Sequence, residues 1–151
     1  HRGFELALQG RVNSQLSVQS TVSELDAKYA TAIDPSLVGQ RVTNAPKLKA
    51  SVFTDYTLSA LPGLSVHALL GFEDGKTASA DGTATLPSAM QIDVGLGYAH
   101  RIQGKSVRWQ LGIDNLTDRI YWREAPTQSW GGVYLFPSTP RTVRASVSLD
   151  F

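Results

Sequence analysis

The sequence of 151 residues contains no cysteine. That excludes a disulfide framework, a Cys-based metal site and a thiol nucleophile. It has almost no net charge: 14 Lys and Arg stand against 13 Asp and Glu, for a formal +1. This excludes nucleic-acid binding that relies on a strong basic excess, and it excludes an acidic tail. Charged residues are only 18% of the chain, below the roughly 25% of an ordinary soluble domain. No window of about 18 apolar residues is present, so no transmembrane helix is expected. There is no starting Met and no secretory leader at His1, so the chain is expected to be a mature protein or a piece of a longer one. No Gly-rich phosphate loop is present. His67 and His100 have no carboxylate partner at triad or metal spacing, so no catalytic constellation stands and the chain is not expected to be an enzyme. Asp74-Gly75 and Asp81-Gly82 are expected to be turns.

What is present in place of charge is uncharged polarity, with 15 Ser, 12 Thr and 13 Gly, and a strict period of two. Phe4, Leu6, Leu8 and Val12 share one parity against Glu5, Gln9 and Arg11. The same alternation runs through Leu16, Val18 and Val22, and through Leu48, Ala50, Val52 and Tyr56. It continues in Leu64, Val66, Ala68, Leu70 and Phe72, and in Met90, Ile92, Val94, Leu96 and Tyr98. It closes in Val107, Trp109, Leu111 and Ile113, and in Val143, Ala145, Val147, Leu149 and Phe151. Phe53 alone sits on the polar parity of its run. Seven strands are predicted.

These runs cover about 9 to 14 residues, whereas strands of soluble domains cluster near 5 to 6. A strand tilted through a bilayer needs roughly 9 to 11. The connections alternate in length: tight at 13–15, 59–63 and 103–104, long at 30–45, 76–87 and 119–139. Short turns on one side and long loops on the other are the pattern of an outer-membrane β-barrel. The polar parity carries Glu, Asp, Arg, Lys, Gln, Ser and Gly, which suits a wet lumen; a small soluble barrel fills its interior with apolar side chains. Phe72, Tyr98, Trp109 and Phe151 suit interfacial girdles. Apolar faces are therefore expected to meet lipid, and Lys in place of Asp93 or Ser146 on the lumen face is expected to cost much less than Arg in place of Leu96 or Val147. Seven is an odd number, and bacterial single-chain barrels have even numbers. Either 120–123 or 133–136 supplies a further strand, or the chain is a C-terminal fragment; the fragment is the preferred reading.

The stretch from Gly112 to Trp122, with Asn115-Leu116-Thr117-Asp118-Arg119 at its centre, resembles the N-L-(F/T)-D-(+)-x-Y run of TonB-dependent outer-membrane receptors. The ending from Pro140 to Phe151 looks like their closing strand. Gly3-Phe4-Glu5-Leu6, Asn44-Ala45-Pro46-Lys47 and Leu86-Pro87-Ser88 with Asp93 resemble their strand starts, in family order and spacing. Thr117 and Ala89 depart from the commoner Phe and Tyr. The siderophore-receptor branch matches best. The resemblance implies that residues 1–151 are the C-terminal portion of an all-β, antiparallel transmembrane barrel of about 22 strands, with the plug domain and the earlier strands lying outside this chain.

It also implies a Gram-negative outer-membrane location and TonB-dependent uptake of a ferric siderophore as the transported ligand, with no covalently bound cofactor. The implied partners are the outer-membrane lipid bilayer, the remainder of the receptor, the TonB-ExbB-ExbD complex through the N-terminal part, and the barrel assembly machinery. Nucleic acid is not among them. Phe151 resembles the terminal aromatic of the assembly signal. In the long loop, Arg119, Trp122, Arg123, Trp130 and Tyr134 can hold an aromatic, anionic chelate by stacking, cation–π contact and charge; alternatively they pack the loop against its neighbours. Two other readings remain: a complete eight-stranded outer-membrane barrel with a structural or adhesive role, and a soluble all-β binding module.

Overall fold

The computed structural model describes residues 1–126, 132 and 134–150. Trp130 and Phe151, singled out in the sequence, lie outside the described residues. In chain order the strands are β1 (Arg2–Arg11), β2 (Leu16–Asp26), β3 (Leu48–Thr57), β4 (Leu64–Glu73), β5 (Lys76–Thr77), β6 (Thr85–Leu86), β7 (Ala89–Ile102), β8 (Lys105–Asp114), β9 (Trp122–Glu124), β10 (Phe136–Pro137) and β11 (Thr142–Leu149). The seven long strands form one sheet in the order β1-β2-β3-β4-β7-β8-β11, antiparallel throughout and without a crossover. These are the seven predicted runs.

The turn chemistry explains the sorting of the connections. Asn13 Oδ1 accepts from the backbone N–H of Gln15 and of Leu16, each at 2.8 Å, and closes the first short turn. Gln103 and Gly104 both have positive φ, at 50° and 82°, as a two-residue hairpin turn requires. Gly63 has φ 89°, and a Cβ there would stand 2.0 Å from Ala99 O, so only glycine fits. Long connections lie at the opposite end: 27–47, 74–88 and 115–141. The last two each contain a short hairpin, β5 with β6 and β9 with β10, separate from the main sheet. Of the residues considered for an eighth strand, Trp122, Arg123 and Phe136 lie in the small loop hairpin, and none of the described ones joins the main sheet.

Period two places the apolar parity on one face. Leu6, Val52, Leu70, Leu96, Leu111 and Val147 are between 39% and 53% exposed there. Of the long strands' large apolar side chains only Val107 is buried. An apolar face of this extent is not left in water by a monomeric soluble domain; it is the lipid-facing surface of a membrane barrel. Tyr98 and Trp109 are cross-strand partners near the short-turn end, and Phe72 sits at the long-loop end, where girdle aromatics belong. Phe53 lies on the polar face because its ring packs on His67, with centroids 6.1 Å apart. Strands β1 and β11 are each paired on one side only, so the described sheet is an open barrel wall.

Burial is concentrated among the long loops. Ala78, Leu86 and Ala125 form the buried apolar cluster. Lys76, Thr77, Asn115 and Ser138 are also buried in these loops.

Candidate ligand-binding site at the long-loop end

The polar parity of β2, β3, β4 and β7 converges at the long-loop end on a cavity of about 410 Å³. Lys49, Glu73, Gln91 and Asp93 line it, and Tyr121 from the last long loop lies over it. The sequence dictates this meeting: each of the four is the polar-parity residue near the loop end of its strand. Lys49 and Glu73 are cross-strand partners, and the ammonium stands 3.1 Å from the carboxylate. Lys76 donates to the same carboxylate and to the Arg123 carbonyl, with its side chain 6% exposed.

Tyr121 is held inward by three bonds. Its hydroxyl donates to Gln91 Oε1 at 2.7 Å. Its N–H donates to Ser138 Oγ at 3.1 Å, and its carbonyl accepts from the Ser138 N–H at 2.7 Å. Gln91 Nε2 in turn donates to both oxygens of Asp93, at 2.9 and 3.0 Å. Burial raises the phenol's pKa above the ordinary tyrosine value; Arg123 pulls against this, and the Glu73 and Asp93 carboxylates add to it. The phenol is thus held as a neutral donor. The wall offers an amide, two carboxylates and one ammonium group, with the buried Lys76 ammonium on Glu73 balancing the formal charge, a surface suited to hydrogen-bonding a polar solute.

Asn115 anchors the loop that carries Tyr121. It is 1% exposed and left-handed, with φ 51°. Its Nδ2 donates to Arg119 O at 3.1 Å and to Thr139 O at 3.0 Å, and its Oδ1 accepts from Arg119 N at 3.1 Å. Its own N–H donates to Asp93 Oδ1 at 2.8 Å. Asp93 is therefore a tie between wall and loop, and its replacement carries the cost of leaving the Asn115 N–H and the Gln91 amide without their acceptor.

The expected ligand residues are placed as follows. Arg119 is exposed, with its backbone gripped by Asn115. Trp122 and Arg123 are exposed in β9, and Tyr134 is 52% exposed. Tyr121 and Arg123 interact electrostatically. Sequence reasoning missed Lys49, Glu73, Gln91 and Asp93 as site residues, although parity and position along each strand contained the signal. His67 lies across Gly95 on the lumen face, and His100 stacks on Tyr98 at 5.1 Å. Among the described residues no three His, Asp or Glu converge as a metal site.

Comparison with known proteins bears on this geometry. The family described as TonB dependent receptor-like, beta-barrel, matches residues 1–116. The chain is 24% identical over 151 residues to the ferrichrome receptor FcuA of Yersinia enterocolitica, covering 100% of this chain and 20% of that protein. It is 28% identical over 153 residues to the ferrioxamine B receptor of Salmonella typhimurium, covering 99% and 21%. The crystal structure of BauA, the ferric preacinetobactin receptor of Acinetobacter baumannii, superposes with a TM-score of 0.87 at 24% identity, over 99% of this chain and 22% of that one. The chain spans about a fifth of the length of the relatives it matches. With a family match over more than three quarters of its length and a sheet of the same fold, this chain belongs to the β-barrel family of TonB-dependent receptors, proteins of the bacterial outer membrane.

Proposed function

We propose that residues 1–151 are the C-terminal portion of a TonB-dependent receptor barrel and that the whole receptor takes up a ferric siderophore. The observation that carries this reading is the end-to-end match to receptors named for ferrichrome and ferrioxamine B. The sheet supports it physically. An open edge cannot persist in hydrocarbon, because its backbone groups have no water to bond; further strands of the same receptor complete the wall on β1 and β11. The relatives are receptors and not enzymes, and the role proposed here is binding and passage of a chelate. The partners are the rest of the receptor, the TonB-ExbB-ExbD complex that powers it, the lipid bilayer and the assembly machinery that reads Phe151.

In this reading the loop residues Arg119, Trp122, Arg123, Trp130 and Tyr134 contact the ligand. Tyr121 with Gln91, Asp93, Lys49 and Glu73 forms its wall. The test uses the full-length receptor, titrated with ferrichrome and with ferrioxamine B, beside iron-limited growth of a strain lacking it. Saturable binding of one chelate and loss of growth on that chelate are expected. The double change Tyr121→Ala with Arg123→Ala is expected to weaken binding about tenfold, since stacking and cation–π contacts contribute about 0.5–2 kcal/mol each. Full growth of the deletion strain on both chelates, with no binding by the pure receptor, contradicts the reading.

A further inference from the structure

Asn44 lies in the long loop 27–47, far from the residues expected to touch a ligand, yet its bonds reach both other long loops. Its N–H donates to Thr77 O at 2.9 Å, in the loop 74–88. Its Nδ2 donates to Ala125 O at 3.1 Å, and its Oδ1 accepts from Ala125 N at 2.8 Å, in the loop 115–141. One side-chain amide thus satisfies both backbone groups of Ala125, as a neighbouring strand would. With Asn44 in place, Ala125 is 0% exposed and packs with Ala78 and Leu86, so the Asn44 amide stands where water would otherwise bond its backbone groups. The residue holds φ 58°, a left-handed conformation that asparagine tolerates better than most residues. A second tie runs parallel: Lys76 of the loop 74–88 donates to Arg123 O, two residues before Ala125.

We propose that Asn44 is the positioning residue that locks the three long loops into one preassembled cap and, through Ala125, sets where Tyr121 and Arg123 stand over the lumen. The proposal rests on the ligand-site reading above. Its distinguishing content is that the cap exists before ligand arrives. A preassembled site avoids ordering its loops at the moment of binding, which is where affinity is otherwise lost. Asparagine is required because the lock needs a donor and an acceptor on one short side chain in a left-handed backbone. Aspartate keeps only the acceptor, and glycine keeps only the backbone.

The experiment uses the full-length receptor in detergent with paired nitroxide labels at Val38 and Leu135, both exposed, and compares native Asn44 with Asn44→Gly and Asn44→Asp. Glycine adopts φ 58° without strain, so it removes the side chain alone. Without ligand, the native pair is expected to give one narrow distance distribution. Asn44→Gly is expected to broaden it and Asn44→Asp to broaden it partly. Heat-modifiability on a gel reports that the barrel is folded; if Asn44→Gly fails to assemble, Asn44→Asp alone decides. A titration with the ferric chelate bound by the native receptor is expected to show at least tenfold weaker binding in Asn44→Gly, through slower association as well as faster release. A narrow distribution in both variants overturns the lock. A broadened distribution with unchanged affinity overturns the positioning role. If the native receptor binds neither ferrichrome nor ferrioxamine B, the ligand-site reading and the positioning role fall together, while the distances still judge the lock.

Discussion

Replacing Asn115 dismantles the base of the loop that carries Tyr121, and the cost can be worked from its partners. Three bonds to backbone groups are lost: Nδ2 to Arg119 O and to Thr139 O, and Arg119 N to Oδ1. At about 0.5–1.5 kcal/mol net for each bond, their loss amounts to about 3 kcal/mol. A left-handed alanine adds about 1 kcal/mol. Asn115→Ala is thus expected to destabilise the loop base by about 4 kcal/mol, and Asn115→Gly by about 3 kcal/mol, because glycine is free of the conformational term. The assay is hydrogen exchange at the Ser138 amide, which bonds Tyr121 O at 2.7 Å, in the full-length receptor. At about 1.4 kcal/mol per tenfold, exchange in the glycine variant should accelerate by about a hundredfold or more. The barrel's global unfolding should barely move, since the loop base lies outside the sheet. Unchanged exchange in Asn115→Gly, or equal exchange in the glycine and alanine variants, refutes the reasoning.

Three further outcomes are expected. Leu96→Arg on the apolar face should cost about 2–4 kcal/mol near the midplane in a membrane-folding titration, while Ser146→Lys on the polar face, whose hydroxyl makes one 3.3 Å contact to Gln110, should cost much less; equal costs count against the two-faced wall. The Tyr121 phenol should deprotonate above the ordinary tyrosine range, because burial disfavours phenolate. Its raised value means that the stabilisation it contributes is fully present below the unfolded value of about 10 and is lost as pH rises through the folded value; ultraviolet titration of wild type against Tyr121→Phe should show one late tyrosinate step disappear, and an ordinary midpoint for that step speaks against the inward placement.

The sheet was legible in the sequence because period two over ten or so residues has one physical meaning: one face for each solvent. All seven long runs became strands, and the sorting of short turns from long loops held. The exception at Phe53 was visible as a broken parity, and only its partner, His67, needed the structure. The interior of the loops was not legible. Asn44 and Ala125 are 81 residues apart, and no local pattern announces that their groups pair. Lys76 reads as an ordinary loop charge until the structure buries it against Glu73 and Arg123 O. Tyr121 was one of several loop aromatics; its inward turn is fixed by Ser138 and Gln91, on other segments. The site wall was half legible, since parity marks Lys49, Glu73, Gln91 and Asp93 as polar-face residues without saying that they meet.

One face of this sheet contacts hydrocarbon and the other contacts water. These 151 residues contain no cysteine, so within this segment single labels are introduced without removing others. Nitroxides at the adjacent positions 70 and 71, and again at 111 and 112, sample opposite faces in turn. Gly71 has nothing within 4 Å of where a Cβ would be, and Leu70 and Leu111 are 43% and 45% exposed, so the labels fit. In the full-length receptor in bilayers, labels at Leu70 and Leu111 should relax with oxygen, which concentrates in hydrocarbon. Labels at Gly71 and Gly112 should relax with a water-soluble nickel chelate. Alternating accessibility of this kind is the predicted result; nickel accessibility at Leu70 and Leu111 equal to that at Gly71 and Gly112 contradicts the account.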